Sequence, residues 1–211
     1  MAIDIRKEFG RFTGENPDVT LSAAIIMKKP GYPVSRSAEE AEEGLEKAKD
    51  KWDIQPGQLY GKAGKAVENG QESDPTSARE KDQTNVQEKD QIYFMGDAIR
   101  WNEFSKVINT GKYLENQLRD GTANTGQVYR LMDYCRMFRE FLKDTSISGL
   151  RFLPMLTYDI NRNYSAATPA KAEFKKWVLG FRKEIQTNTS LYYLKTSGFY
   201  AMTKTRRQSN E

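Results

Sequence analysis

The chain has 211 residues, of which 37% are hydrophobic, with one cysteine, no histidine and a formal net charge of +4. Without histidine it cannot build a histidine-aspartate nuclease centre, a His-ligated zinc site or a Ser-His or Cys-His nucleophile pair. One cysteine excludes an internal disulfide, no signal peptide is visible, and no apolar run approaches the roughly 20 residues of a membrane span. Composition therefore predicts a soluble cytoplasmic protein with no membrane partner.

The N-terminal 50 residues predict a helix, a strand and a second helix. Ile5, Phe9 and Phe12 repeat at helical spacing, so a helix is expected to begin almost at Met1. Residues 18–27 alternate apolar and polar side chains and then become apolar, which indicates a half-buried strand. Ser37 and Glu40 have the spacing of a capping box, which predicts a helix start there.

The middle of the chain predicts one further strand after a polar insertion. Residues 62–90 are charged, rich in Gly, Ser, Gln and Asn, and contain too little apolar surface to offset the entropy of ordering. We therefore expect a flexible insertion at about 53–91. Residues 92–95, Ile-Tyr-Phe-Met, predict a closing strand, and Asp97 after Gly96 is interpreted as a turn or helix-cap residue.

The remaining residues predict an antiparallel helical bundle. Helical stripes of apolar residues indicate five helices, the first ending near Gly121 and the fourth starting at Thr168-Pro169, a capping residue followed by proline. Cys135 shares a stripe with Leu131 and Phe138, so a buried structural thiol is expected rather than a nucleophile.

Four blocks in this order resemble a known domain: residues 12–26, 29–36, 38–49 and 92–104. They resemble the end of a GGDEF-type palm, the ferredoxin-like domain of nucleotide cyclases. They are more closely similar to the second palm domain in the large subunit of type III CRISPR effector complexes, Csm type. The resemblance implies an α+β fold, with a partial palm in residues 1–104 and a helical bundle in residues 105–211.

For the whole large subunit, the resemblance implies synthesis of cyclic oligoadenylate from ATP with Mg or Mn when target RNA binds. Single-stranded DNA cleavage is a second implied activity. The Gly-Gly-Asp-Asp turn on which the palm chemistry depends is absent from this sequence. We therefore expect the C-terminal part of the subunit, without catalytic or metal-binding residues of its own and inactive alone. The implied partners are the remaining part of the large subunit, the small and backbone subunits and, indirectly, crRNA and target RNA.

Candidate nucleotide-binding residues lie where the first strand ends. Lys28 and Lys29 are placed to neutralise a triphosphate, and Tyr32 or Ser22 to touch the base or ribose. The alternative is a solvated loop whose lysines protect a sheet edge.

Basic residues gather in the last third of the chain, where they are interpreted as contacts to RNA or to neighbouring subunits. The candidates are Lys175, Lys176, Arg182, Lys183, Arg206 and Arg207. Interleaved Tyr192, Tyr193, Phe199 and Tyr200 either stack on bases or belong to the core.

Two other functions fit the same sequence. One is a degenerate GGDEF or cyclase-like protein that binds a nucleotide as a signal. The other is a non-catalytic helical adaptor whose apolar stripes serve partner proteins.

Overall fold

A computed structural model describes residues 1–50, 90–144, 149, 151–164, 166–183 and 192–208. The described residues form seven α-helices and one three-stranded sheet, so the predicted α+β class is confirmed. They divide into two compact units: unit 1 holds residues 1–50 and 90–105, and unit 2 holds residues 106–208. The predicted insertion at about 53–91 lies almost entirely outside the described residues. No described helix is both long and apolar enough to span a membrane.

Unit 1 is a small sheet with two helices and the start of a third. In chain order its elements are α1 (Ala2–Phe12), β1 (Ala23–Ile25), α2 (Val34–Lys49), β2 (Gln91–Phe94), β3 (Asp97–Arg100) and the first residues of α3 (Trp101–Arg119). The strand order is β1-β2-β3, with β1 parallel to β2 and β2 antiparallel to β3. Because parallel strands need a long crossover, α2 lies between β1 and β2 in sequence.

A glycine sets how closely α2 approaches the sheet. Gly44 lies in the middle of α2, where a glycine costs about 1 kcal/mol relative to alanine. A Cβ atom at this position would come within 2.4 Å of the Tyr93 ring on β2. Because Gly44 has no side chain, the backbone of α2 can pack directly against the Tyr93 ring.

The start of α2 differs from the prediction. The helix begins at Val34 with Pro33 as its N-cap, and no side chain caps it. The Ser37 hydroxyl instead donates to the Pro33 carbonyl 3.1 Å away, one turn inside the helix. The predicted capping box is therefore wrong, because proline fixes the backbone before the helix four residues earlier than Ser37.

The closing strand at residues 92–95 is confirmed as β2, and Asp97 is a turn residue, the last of the four in the turn that follows β2, and not a helix cap. Asp97 begins β3 and lies opposite Phe94. Met95 and Gly96 join the two strands with φ angles of 52° and 95°. Positive φ at both central residues is the requirement of a type I′ hairpin turn, whose twist matches that of the strands.

Unit 1 covers little of its own apolar surface. Its buried apolar residues are Ala48, Ile92, Phe94, Ile99 and Phe104, with the Phe94 and Phe104 rings 5.6 Å apart edge to face. The predicted helix at Met1 is confirmed as α1. However, two of the three side chains of its apolar stripe are exposed: Ile5 is 55% exposed and Phe12 is 89% exposed, whereas Phe9 is half-buried.

The strand β1 has the same deficit. It is shorter than predicted, and the apolar residues from Leu21 to Met27 are partly buried, with none of them fully covered. In the described sheet β1 is an edge strand, paired only with β2. A continuous apolar run is typical of a strand covered on both faces and paired on both sides.

Unit 2 is helical, as predicted. It contains the rest of α3, then α4 (Thr125–Asp144), α5 (Phe152–Asn163), α6 (Pro169–Lys183) and α7 (Leu194–Gln208). Side chains from these helices form one core, whose fully buried members include Leu114, Leu131, Phe138, Phe152, Leu156, Ile160, Phe174 and Val178.

The predicted start of α6 and the predicted burial of Cys135 are confirmed. Thr168 caps α6, since its hydroxyl oxygen accepts the Lys171 N–H at 3.3 Å. Asn124 and Gln127 form a reciprocal capping box at the start of α4, with hydrogen bonds of 2.8 and 2.9 Å. Cys135 is fully buried and its thiol donates to the Tyr192 carbonyl, as expected for a structural cysteine.

The hairpin turn gives a stability prediction. Met95→Asn should strengthen β2–β3 pairing, because asparagine tolerates the left-handed backbone, and Gly96→Ala should weaken it by about 1 kcal/mol. Space around Gly96 is open, so the cost of alanine would be conformational rather than steric. Amide hydrogen exchange of Ile92 and Ile99 measures both effects. Equal exchange in the two variants would contradict the turn assignment.

Candidate functional site

Three side chains from the loop after β1 and from α2 form a compact polar cluster. Glu40 on α2 forms a salt bridge with Lys28 and accepts a hydrogen bond from the Tyr32 hydroxyl. The Lys28 ammonium also lies 4.5 Å from the centre of the Tyr32 ring, within cation–π range. Two of the predicted nucleotide-binding residues, Lys28 and Tyr32, are therefore brought together by a glutamate.

These contacts fix the charges of the cluster. The Lys28 hydrogen bond lowers the pKa of the Glu40 carboxyl, followed by the bond from Tyr32. Reciprocally, the hydrogen bond to Glu40 raises the pKa of Lys28 and that of Tyr32. Lys28 stays cationic at neutral pH, but Glu40 compensates its charge.

The loop retains a positive surface besides this pair. Lys29 is exposed, and none of the described acidic residues forms an ion pair with it. Arg36, exposed on the first turn of α2, is close enough to Glu40 to lower the pKa of that carboxyl. Sequence reasoning did not single out Arg36; the signal available was its i,i+4 spacing to Glu40.

Ser22 lies apart from this cluster. Its hydroxyl donates to the Ala48 carbonyl at 3.4 Å, near the end of α2. Ala48 and Glu40 are eight residues apart on the helix, which corresponds to a rise of about 12 Å. The structure therefore places Ser22 at one end of the β1–α2 pair and Lys28 with Tyr32 at the other.

A second polar group, which sequence reasoning missed, surrounds the start of β1. Asp90 forms a salt bridge of 2.8 Å with Arg6 on α1, and its other carboxylate oxygen accepts the Leu21 N–H at 3.3 Å. The Trp101 indole donates to the Leu21 carbonyl at 2.6 Å. We call Arg6, Leu21, Asp90 and Trp101 the Asp90 clamp.

A cavity of about 320 Å³ lies beside the clamp and is lined by residues of α1, of the loop before β1 and of the β3–α3 junction. Its charged lining residues are Arg6, Glu15, Asp90 and Arg100, so positive and negative charges balance. Because the charges of its lining balance, the cavity has no preference for binding an anion or a cation.

The predicted contact residues of unit 2 are only partly described. Lys176 and Arg206 are exposed and Lys175 is half-buried. The side chains of Arg182, Lys183 and Arg207 lie outside the described part of the structure. Of the four interleaved aromatic residues, Tyr192 and Tyr193 are buried, Tyr200 is half-buried and Phe199 is 37% exposed.

The described acidic residues do not converge on a metal site. No group of three His, Cys, Asp or Glu side chains within the described ranges has an arrangement that could hold an ion. The buried carboxylate of unit 2, Asp159, is held by Arg130 at 3.0 Å and by Asn163. Burial and the nearby Asp159 raise the pKa of the Tyr134 hydroxyl, so Tyr134 is uncharged at neutral pH. The charged members of this cluster are the ion pair of Arg130 and Asp159.

Residues 1–54 match the family model of the Cas10/Cmr2 second palm domain. The match covers about a quarter of the chain and includes α1, β1 and α2, hence also Lys28, Lys29 and Glu40. No curated protein and no solved structure matches the chain significantly. The N-terminal segment is therefore similar to a palm domain of type III CRISPR effector large subunits.

The Lys28–Glu40 pair predicts a measurable titration. We expect the Glu40 carboxyl to titrate below its ordinary pKa, and Lys28→Met to raise that pKa towards the usual value. Since the folded-state pKa is lowered, the stabilisation is present above the ordinary glutamate pKa and is lost as pH falls through the lowered one.

NMR titration of labelled glutamate carboxyls measures this shift, and Lys29→Met is the matched control because the neighbouring lysine does not contact Glu40. A Glu40 pKa that is unchanged by Lys28→Met would contradict the cluster.

Proposed function

We propose that this chain is the C-terminal part of the large subunit of a type III CRISPR effector complex of Csm type. In this proposal unit 1 completes a nucleotide-polymerising palm, and unit 2 docks on the neighbouring small and backbone subunits. The complex acts in the cytoplasm in RNA-guided antiviral defence.

The observation that carries the proposal is the uncovered apolar surface of unit 1, within the segment that matches the palm family. Ile5 and Phe12 on α1 are 55% and 89% exposed, and β1 has one open edge in the described sheet. An exposed apolar stripe beside an open strand edge is costly in water and prone to pairing. The remaining part of the palm is the partner that would cover both.

The chemistry of the complete palm would depend on that remaining part. Two metal ions, Mg or Mn, supply charge stabilisation for the attacking and leaving oxygens of an in-line displacement on ATP. Within the described residues, no group of three or more His, Cys, Asp or Glu side chains is arranged to hold such ions. In the proposal, those carboxylates belong to the remaining part of the subunit, and this chain alone makes no cyclic oligoadenylate.

This chain contributes positive charge at the end of β1. Lys29 is the residue best placed to face a triphosphate, since it is exposed and Lys28 is engaged by Glu40. Arg36 adds a second exposed cation on the same loop-helix junction. Tyr32, with its hydroxyl held by Glu40, presents its ring beside these charges. Ser22 would act at a separate point of the palm.

Copurification and activity test the proposal together. The tagged chain, coexpressed with the remaining effector components, should copurify with the crRNA-containing complex and support oligoadenylate synthesis on target RNA. Alone, with ATP and Mg or Mn, it should be inactive. Oligoadenylate synthesis by the isolated chain would contradict the proposal. So would an assembled complex that does not contain the chain.

Variants of α1 make the test specific to the uncovered stripe. Phe12→Ser should weaken association with the rest of the palm by about 10-fold or more, because an exposed aromatic at an interface centre contributes strongly. Lys7→Ser is the matched control, since Lys7 is exposed on the same helix outside the Ile5–Phe12 stripe. Equal association of the two variants would exclude the stripe as the interface.

A further inference from the structure

Helix α7 of unit 2 carries cations and aromatic rings at its surface and contains no acidic residue. Arg206 and Phe199 are exposed, and Lys195 is half-buried. Lys195, Phe199 and Arg206 are spaced i, i+4 and i+11, so they lie along one side of the helix. Across from them on α4, Tyr129 is 43% exposed. We call Lys195, Phe199, Arg206 and Tyr129 the α7 surface.

Each aromatic ring of the α7 surface has a cation beside it. The Lys195 ammonium lies 6.0 Å from the centre of the Phe199 ring, and an Arg206 guanidinium nitrogen lies 3.4 Å from the Tyr129 hydroxyl. Further along α7, the Lys204 ammonium lies 5.9 Å from the Tyr200 ring. Cations and rings therefore lie close together on this surface instead of forming separate patches.

The helix that carries this surface is firmly held. Its opposite side is buried, with Leu194 and Ala201 fully covered and the Ser197 hydroxyl donating to the Val107 carbonyl at 2.9 Å. Gly198 fits against Met132 of α4, where a Cβ atom would come within 2.7 Å of the sulfur. The exposed rings thus project from a rigid support and lose little freedom when a ligand binds.

An acidic neighbour limits the surface on one side. Asp133 lies one turn after Tyr129 on α4, but it forms a salt bridge of 3.4 Å with Arg136. Its charge is therefore balanced on its own helix. The α7 surface keeps a net positive charge from Lys195 and Arg206, and Lys204 lies on its flank.

We propose that the α7 surface binds single-stranded nucleic acid. Proteins that track single strands combine positive charge for the phosphates with aromatic rings on which bases stack. A duplex hides the faces of its bases, so this surface should prefer a single strand. The proposal does not depend on the palm match, because it concerns residues of unit 2 alone.

Fluorescence anisotropy with the full 211-residue chain tests the proposal. The probes are labelled oligouridylate and oligothymidylate of about 12 nucleotides, within the usual site size of such proteins, and an RNA duplex of equal length. We expect both single strands to bind more tightly than the duplex, and affinity to fall steeply as salt rises from about 50 to about 200 mM. Equal or tighter binding of the duplex would overturn the proposal.

Substitutions locate the binding. Phe199→Leu should lower single-strand affinity by about 5-fold or more, and Phe199→Tyr should retain it, because only the tyrosine preserves a stacking ring. Lys195→Glu should lower affinity more than Lys112→Glu, an exposed lysine on α3 whose reversal changes net charge equally. Equal effects of the two lysine changes, or an unchanged Phe199→Leu variant, would overturn the proposal.

The result is separable from the proposed function. A chain that joins the effector complex but binds no single strand would refute the α7 surface and leave the palm proposal standing. A chain that binds single strands yet never joins the complex would refute the palm proposal and leave the α7 surface standing.

Discussion

Unit 1 depends on the Asp90 clamp. Asp90 joins Arg6 of α1 to the Leu21 N–H, and the Trp101 indole bonds the Leu21 carbonyl, so both backbone groups at the entry to β1 are satisfied. Because α1 packs only loosely against the other described elements, polar contacts rather than apolar burial hold it in place. Arg6 and Asp90 are about one quarter exposed, so water weakens their attraction only in part.

The clamp explains how an unusual arrangement persists. With the clamp formed, Gly10 of α1 is buried while Ile5 and Phe12 remain exposed. The clamp also fixes β1 at the edge of the described sheet, beside β2. A few hydrogen bonds thus hold the exposed side chains of α1 and the unpaired edge of β1 in place in the described structure. This arrangement is what supports the proposal that unit 1 is part of a larger palm.

Sequence patterns identified the elements of this chain better than their limits and contacts. Thr168-Pro169 located the start of α6 because capping and proline geometry are local properties. The prediction of a capping box at Ser37 was wrong because the helix already begins after Pro33. The hairpin was not predicted because Met95 is an unusual residue for the first central position of a type I′ turn. Asn-Gly or Asp-Gly at these positions would have indicated such a turn.

The sites were less predictable than the helices. Lys28 and Tyr32 were correctly placed beside the end of β1, but periodicity could not show that Glu40 would bind both. Arg6 and Asp90 are 84 residues apart, so no local pattern links them. The stripe of Ile5, Phe9 and Phe12 was visible in the sequence, yet only the structure shows that Ile5 and Phe12 remain exposed.

Hydrogen exchange of unit 1, with and without the remaining part of the palm, would show whether unit 1 is an incomplete palm. We expect the amides of Ala23–Ile25 and of α1 to exchange quickly in the isolated chain and to become strongly protected in the complex. Full protection of these amides in the isolated chain, or no change on adding the rest of the palm, would contradict this expectation.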